Sequence, residues 1–283
     1  MRKLFCEISP LTYQISMHKE RLLRQIRELG SRQQLALTKG EPLPVLVYRH
    51  KSLIRRRLGN VDWQLQENKA VNLALATPKV CGILIRPGET FSFWRLVGST
   101  TRAKGYKEGL TINGMKAEKG VGGGMCQFTN LLHWMTLHSP MDITEYHHHD
   151  SFDLFPDFNR QVPFGVGTSI LYNYIDYRVT NNTGLTFQFI TGTSDEYLHG
   201  ELRATEMLPH SYHIKAEDEY FYERGGDYYR HNCVYRTVVD KCTGNTVARD
   251  LLQECNALVL YDSTQIDKSR LRGAEQLAWC QRM

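Results

Sequence analysis

The spacing of apolar positions predicts a chain that opens helical and then turns to strand. Residues 20–29 place Leu22, Leu23, Ile26 and Leu29 on one helical face, with Gly30 as the stop. The polar, basic, Pro-containing stretch after it, up to Asn60, predicts loop with short elements. A second helical pattern, marked by Val71 and Leu75, covers 66–77 and is expected to end before Pro78. A residue preceding proline is driven out of the helical region. Residues 80–85 are a short apolar run closed by Arg86-Pro87-Gly88, a buried strand and its turn. Phe91-Ser92-Phe93-Trp94 reads as aromatic strand or loop.

Asn113-Gly114 is a strong hairpin signal between 110–112 and 115–117. Phe128, Leu131, Leu132 and Met135 then form the apolar stripe of a helix over 128–138. Beyond Pro140, β-branched and aromatic residues predict strands at 143–146, 170–179, 185–191 and 197–204, with Asn181-Asn182-Thr183-Gly184 as a hairpin turn. Past Pro209 a second, smaller β region is expected, with Gly225-Gly226-Asp227 as one of its turns. The fold class is therefore α+β: an antiparallel sheet packed against the helix that carries Cys126 at its N-terminus, with N-terminal helices and a smaller C-terminal β region. The expected divisions are 1–60 (helical and basic), 61–208 (core domain) and 209–283 (C-terminal β-rich extension).

Composition adds limits. Among 283 residues, 41% are hydrophobic and 23% charged, as in ordinary globular chains. The net charge of +5 is too mild to point to a nucleic-acid partner. Much of the excess sits in Arg49-His50-Lys51 and Arg55-Arg56-Arg57, either a solvated face or a contact for phosphate or an anionic membrane surface. Seven scattered cysteines without a CxxC pair argue against a disulfide framework and against a cysteine zinc site. Glu7, Gln14, His18 and Lys19 interrupt any apolar leader, and no window approaches 18 apolar residues. A cytoplasmic address is expected, with membrane association through residues 49–57 as an option.

The candidate chemistry centres on Gly120-Val121-Gly122-Gly123-Gly124-Met125-Cys126-Gln127. A thiol at a helix N-terminus feels the positive end of the dipole, which favours thiolate and makes a nucleophile. The bland alternative is a helix-entry turn before a buried cysteine. A nucleophile needs a base, and His147-His148-His149 comes directly after a predicted strand. Strand alternation would aim His147 and His149 at the helix end and His148 away. Backbone N–H groups of Cys126 and Gln127, or the Gln127 amide, are candidate oxyanion donors. His133 and His138 lie five apart and no HExxH occurs, so no metal is expected. The glycine loop is neither a P-loop nor a dinucleotide fingerprint, so no cofactor is expected.

Several stretches in order resemble the VanW family, named for an accessory gene of vancomycin-resistance clusters. They are Arg86-Pro87-Gly88-Glu89-Thr90-Phe91-Ser92-Phe93-Trp94, Gly105-Tyr106-Lys107-Glu108, Asn113-Gly114, Gly122 to Gln127 continuing into Asn130-Leu131-Leu132, and Glu145-x-His147-x-His149. Some VanW-domain proteins are associated with peptidoglycan L,D-transpeptidation by the cysteine of the glycine-rich motif. Carried over, the resemblance implies Cys126 as nucleophile, His149 and His147 as base, and Gly122, Gly123, Gly124, Gln127, Glu89 and Ser92 as substrate contacts. Where the family carries an acidic residue after the histidines, this chain has Gly167, with Asp150 or Asp153 as possible substitutes. Two functions stay open: a cysteine acyltransferase or peptidase acting on peptidoglycan stem peptides, and a non-catalytic accessory module that binds cell-wall precursors.

Overall fold

The computed structural model describes residues 4–31, 33–56, 62–113, 116–148, 151–157 and 161–273. Helix α1 (Pro10–Gly30) begins ten residues before the predicted start. Ser9 caps it reciprocally with Thr12, and Pro10 occupies the first turn, where its missing N–H costs nothing. Strand β1 (Gln34–Leu35) and the nine-residue β2 (Val45–Leu53) stand where loop was expected. Helix α2 (Trp63–Val80) runs through Pro78 rather than stopping before it. The proline sits in the last turn, and the Lys39 ammonium and Thr191 hydroxyl donate to the carbonyls of Pro78 and Thr77.

Strand β3 (Ile83–Ile85), β4 (Glu89–Ser92) and the short helix α3 (Phe93–Val97) precede the hairpin of β5 (Glu108–Asn113) and β6 (Lys116–Val121). That hairpin pairs Asn113 with Lys116, as its signal predicts; Gly114 and Met115 at its tip lie outside the described residues. Helix α4 (Met125–Leu137) then starts three residues before the predicted stripe. After it come β7 (Asp142–Glu145), β8 (Phe152–Asp153), β9 (Arg178–Thr180), β10 (Phe187–Thr193) and β11 (Tyr197–Ala204). Three long strands, β12 (His210–Arg224), β13 (Asp227–Asp240) and β14 (Thr246–Val259), and the short β15 (Leu271–Arg272) complete the described residues.

The architecture is α+β, with most of its regular structure in strands. One sheet runs β1-β4-β9-β7, a second β2-β11-β10-β3, and a third β15-β12-β13-β14-β8. β2 pairs antiparallel with β11, so residues 45–53 share a sheet with 197–204. The expected hairpin at Asn181–Gly184 is instead a crossing between sheets, since β9 pairs with β4 and β7 while β10 pairs with β3 and β11. Asn181 is fully buried there and donates to the carbonyls of Ile85 and Leu185, pinning the crossing. Residues 170–177 are likewise no strand: Leu171 bridges Ile175 across a turn with Asn173 at φ 52°.

Helix α4 is the centre of the core. On one side Gly200 of β11 leaves room for Leu131 and Met135. On the other, Phe128 meets Phe93 edge-on at 5.5 Å and His133 meets Tyr177 at 5.6 Å. Leu73, Ala76 and Val80 of α2 close the same cluster. An apolar face buried on both sides holds the first turn of α4 rigidly, and that turn carries Cys126.

Candidate functional site

Each of the three glycines before α4 answers a close approach by the protein's own chain. Gly122 adopts φ +85°, and a Cβ on it would collide with Thr100. Gly123 faces the backbone of Gly109 in β5. Gly124, at φ +107°, is the N-cap, and a Cβ on it would sit 2.6 Å from Cγ of Lys69. Positive φ and direct contact both demand glycine here. Asn72, fully buried on α2, fastens the loop by donating to the Gly123 and Lys107 carbonyls and accepting from Lys107 N–H.

The N-cap Gly124 has no side chain with which to cap α4, and Gly124, Cys126 and Gln127 at this pole are partly exposed. Cys126 sits in this turn. Its sulfur receives the backbone N–H of Ile170, yet burial dominates and pushes the thiol above the ordinary cysteine range. The expected thiolate is therefore opposed: desolvation disfavours the charged form more than the nearby N–H groups favour it. Gln127 points elsewhere, its amide donating to Ser52 Oγ at 2.8 Å and to the Leu53 carbonyl at 2.9 Å. Those two bonds occupy the side chain, so Gln127 ties α4 to the end of β2.

Residues 146–148 are turned the opposite way from the strand-alternation expectation. Glu145 and His147 share one side, with His147 Nε2 3.6 Å from the Glu145 carboxylate. Tyr146 and His148 share the other, against α4: the Tyr146 ring stacks on His133, and His148 is an electrostatic neighbour of His133. The cause is Glu145, which is drawn to Arg24 (2.6 Å) and to the N–H of Asp176 (2.7 Å) and so fixes the phase of residues 146–148. Burial raises the Glu145 carboxyl, but Arg24, the Asp176 N–H and Arg178 outweigh it and hold the group below its ordinary value. His149 lies outside the described residues, as does Asp150. Cys126 and His147 flank a common segment, since Ser169 N–H donates to the His147 carbonyl and the next N–H reaches the Cys126 sulfur.

The remaining named residues are committed to structure. Glu89 is buried and accepts from Arg86 N–H, closing its own turn. Ser92 is buried, donates to Asp176 Oδ2 at 2.6 Å and caps α3. Asp153 pairs with the buried Arg230 at 3.1 Å. At Gly167, in place of the family's acidic residue, a Cβ would come no closer than 4.0 Å to a neighbour, Asn130 Oδ1, and the Gly167 carbonyl accepts from Tyr146. Among the described residues no group of three or more His, Cys, Asp or Glu could hold a metal ion.

Two features escaped the sequence. Arg24, Glu28, Glu145, Asp176 and Arg178 form one charged network under α1, beside a cavity of about 340 Å³. Lys69 is buried at the α4 pole, 7% exposed, with its amine brought down to about 7 by burial and by Arg56 and Arg55. A lysine in a helix ordinarily reads as a solvent-facing residue. The only sequence hint was its position on an α2 face shared with Asn72, Leu73 and Ala76.

Fold and pole together define an α+β protein with one cysteine delivered to a helix entry by a glycine turn that its own chain closes. The VanW-like protein model matches residues 68–215, which contain that turn, the helix and the histidine run. The chain is 35% identical over 227 residues to the Vancomycin B-type resistance protein VanW of Enterococcus faecalis, covering 80% of this chain and 82% of that protein. It is also 29% identical over 118 residues to the uncharacterized protein YoaR of Bacillus subtilis, covering 41% of this chain and 36% of that protein. No solved structure matches. The chain belongs to the VanW family.

Proposed function

We propose that this protein serves cell-wall metabolism in the setting of glycopeptide resistance, and that it binds peptidoglycan precursors or stem peptides at the α4 pole without turning them over. The observation that carries this reading is the state of Cys126. Its sulfur receives the backbone N–H of Ile170, and burial keeps it a thiol. The pole begins at a glycine N-cap, which has no capping side chain, and a helix end of this kind suits an anionic ligand group. The relative's name, a vancomycin B-type resistance protein, supports the biological setting.

A second reading is a cysteine acyltransferase of the L,D-transpeptidase kind, or a peptidase. The N–H of Ile170 at the Cys126 sulfur favours it, being the kind of donor that stabilises a thiolate. In that reaction a base, His149 or His147, takes the thiol proton and the thiolate adds to a stem-peptide carbonyl. The C–N bond breaks, the amine leaves with that proton, and an incoming amine or water displaces the thiol from the acyl-enzyme. The deciding experiment incubates the full chain and Cys126→Ala with defined stem peptides and precursors, read by mass spectrometry. Intact peptide, bound equally by both proteins, is the expected result. A covalent adduct on Cys126, absent in the variant, would replace the binding reading with the catalytic one.

A further inference from the structure

We propose that the α4 pole is an oxyanion-binding site in which Lys69, with Arg55 and Arg56 at its rim and the first-turn N–H groups of α4 at its floor, receives a carboxylate or a phosphate. Two independent observations meet here. The first is the thirteen-residue helix α4, which begins at a left-handed glycine with no capping side chain of its own, so its positive end opens at a partly exposed pole. The second is Lys69. Its stem lies across that same N-cap glycine, the residue is 7% exposed, and among the described residues no acceptor is bonded to its ammonium.

Arg56 and Arg55 are the charges most strongly felt by Lys69. Glu67 of α2 is taken by Arg55 at 2.7 and 2.8 Å and balances that arginine. Arg56 is held by its N–H, which donates to the buried Gln66. From α4 the titratable neighbour is Cys126, kept as a neutral thiol. A lysine desolvated among arginines is costly unless something negative arrives to share the site. Gly124, Cys126 and Gln127 are all partly exposed, so an anion approaching along the axis of α4 meets N–H groups and Lys69 together.

The inference rests on the precursor-binding reading only for its choice of peptide ligand; the anion site stands on Lys69 and α4 alone. Titration calorimetry on the full chain, Lys69→Met and Lys69→Arg would use three probes: an acetylated stem pentapeptide, its C-terminal amide, and inorganic phosphate. The acid is expected to bind at least tenfold more tightly than the amide. Lys69→Met should lose about that factor, and Lys69→Arg should keep binding within about threefold. Circular dichroism melts of Lys69→Met establish that it is folded. If phosphate binds through Lys69 and the peptide acid does not, the anion site stands and the stem-peptide reading falls. If acid and amide bind alike, or if Lys69→Met binds both anions as the parent does, the anion site is overturned and any peptide binding has another origin. Absence of binding by either anion overturns it as well.

Discussion

Replacing Lys69 by methionine should make the protein more stable, contrary to the usual effect of mutating a buried residue. Methionine keeps the length of the stem that lies on Gly124, so packing is nearly conserved while the charge is removed. Lys69 titrates near 7 in the fold against 10.5 in the open chain. At 1.36 kcal/mol per tenfold change in proton affinity, that difference caps the cost of holding it charged at about 5 kcal/mol. Structural relaxation and water entry reduce the cap, and a gain of about 2–3 kcal/mol is expected at pH 6.5. The sign comes from proton counting. Between about 7 and 10.5 the unfolded chain binds the extra proton, so parental stability rises with pH across that window. Below about 7 the full cost is present. Urea unfolding of parent and variant from pH 6 to 10 should show a difference that is largest at the acid end and vanishes toward pH 10. A variant less stable than the parent at pH 6.5, or a difference flat with pH, would refute the idea that Lys69 is an uncompensated buried cation. Added phosphate should then stabilise the parent selectively, by ligand linkage.

Iodoacetamide at pH 7 should modify the exposed Cys242 faster than Cys126, because burial holds the Cys126 thiol protonated; faster reaction at Cys126, read by peptide mapping, would favour the catalytic reading. Gly123→Ala should destabilise by about 2–4 kcal/mol in urea melts, since its Cβ would enter the backbone of Gly109, while Gly225→Ala should cost only the strain of its positive φ, about 1 kcal/mol. Arg24→Ala should loosen α1 from Glu145 and Asp176 and expose it to limited proteolysis. Glu145 is held below its ordinary value, so its contribution is complete above about pH 4.5 and lost as pH falls through the lower folded value; acid should therefore release α1 in the parent too. His133, pushed down to about 3 by burial and by His148, must stay neutral in the fold. His133→Phe should flatten the loss of stability between about pH 6.5 and 3, and an unchanged acid limb would mean that His133 is protonated in place.

The sequence by itself determined whatever depends on near neighbours along the chain. The stripe Phe128, Leu131, Leu132, Met135 marked α4, β11 fell on its predicted residues 197–204, and the β5–β6 register agreed with Asn113-Gly114. The family, too, was legible, because its motifs are local and ordered. Tertiary structure decided everything that depends on what a residue meets across the fold. Residues 170–177 carry strand-forming side chains, but the buried Asp176 carboxylate accepts from Ser92 and from the Trp94 N–H, and that task bends the segment away from a ladder. His147 faces Glu145 because Arg24, 121 residues earlier, pulls Glu145 to its own side. The resemblance made the glycine triplet a set of substrate contacts, yet Thr100, Gly109 and Lys69 fill the space where its side chains would be. Lys69 itself is an ordinary helical lysine until α4 begins beside it with no cap. Hydrophobic period and turn chemistry act over a few residues and can be seen in one chain; burial and charge arise only when distant segments meet, and they set the chemistry of this pole.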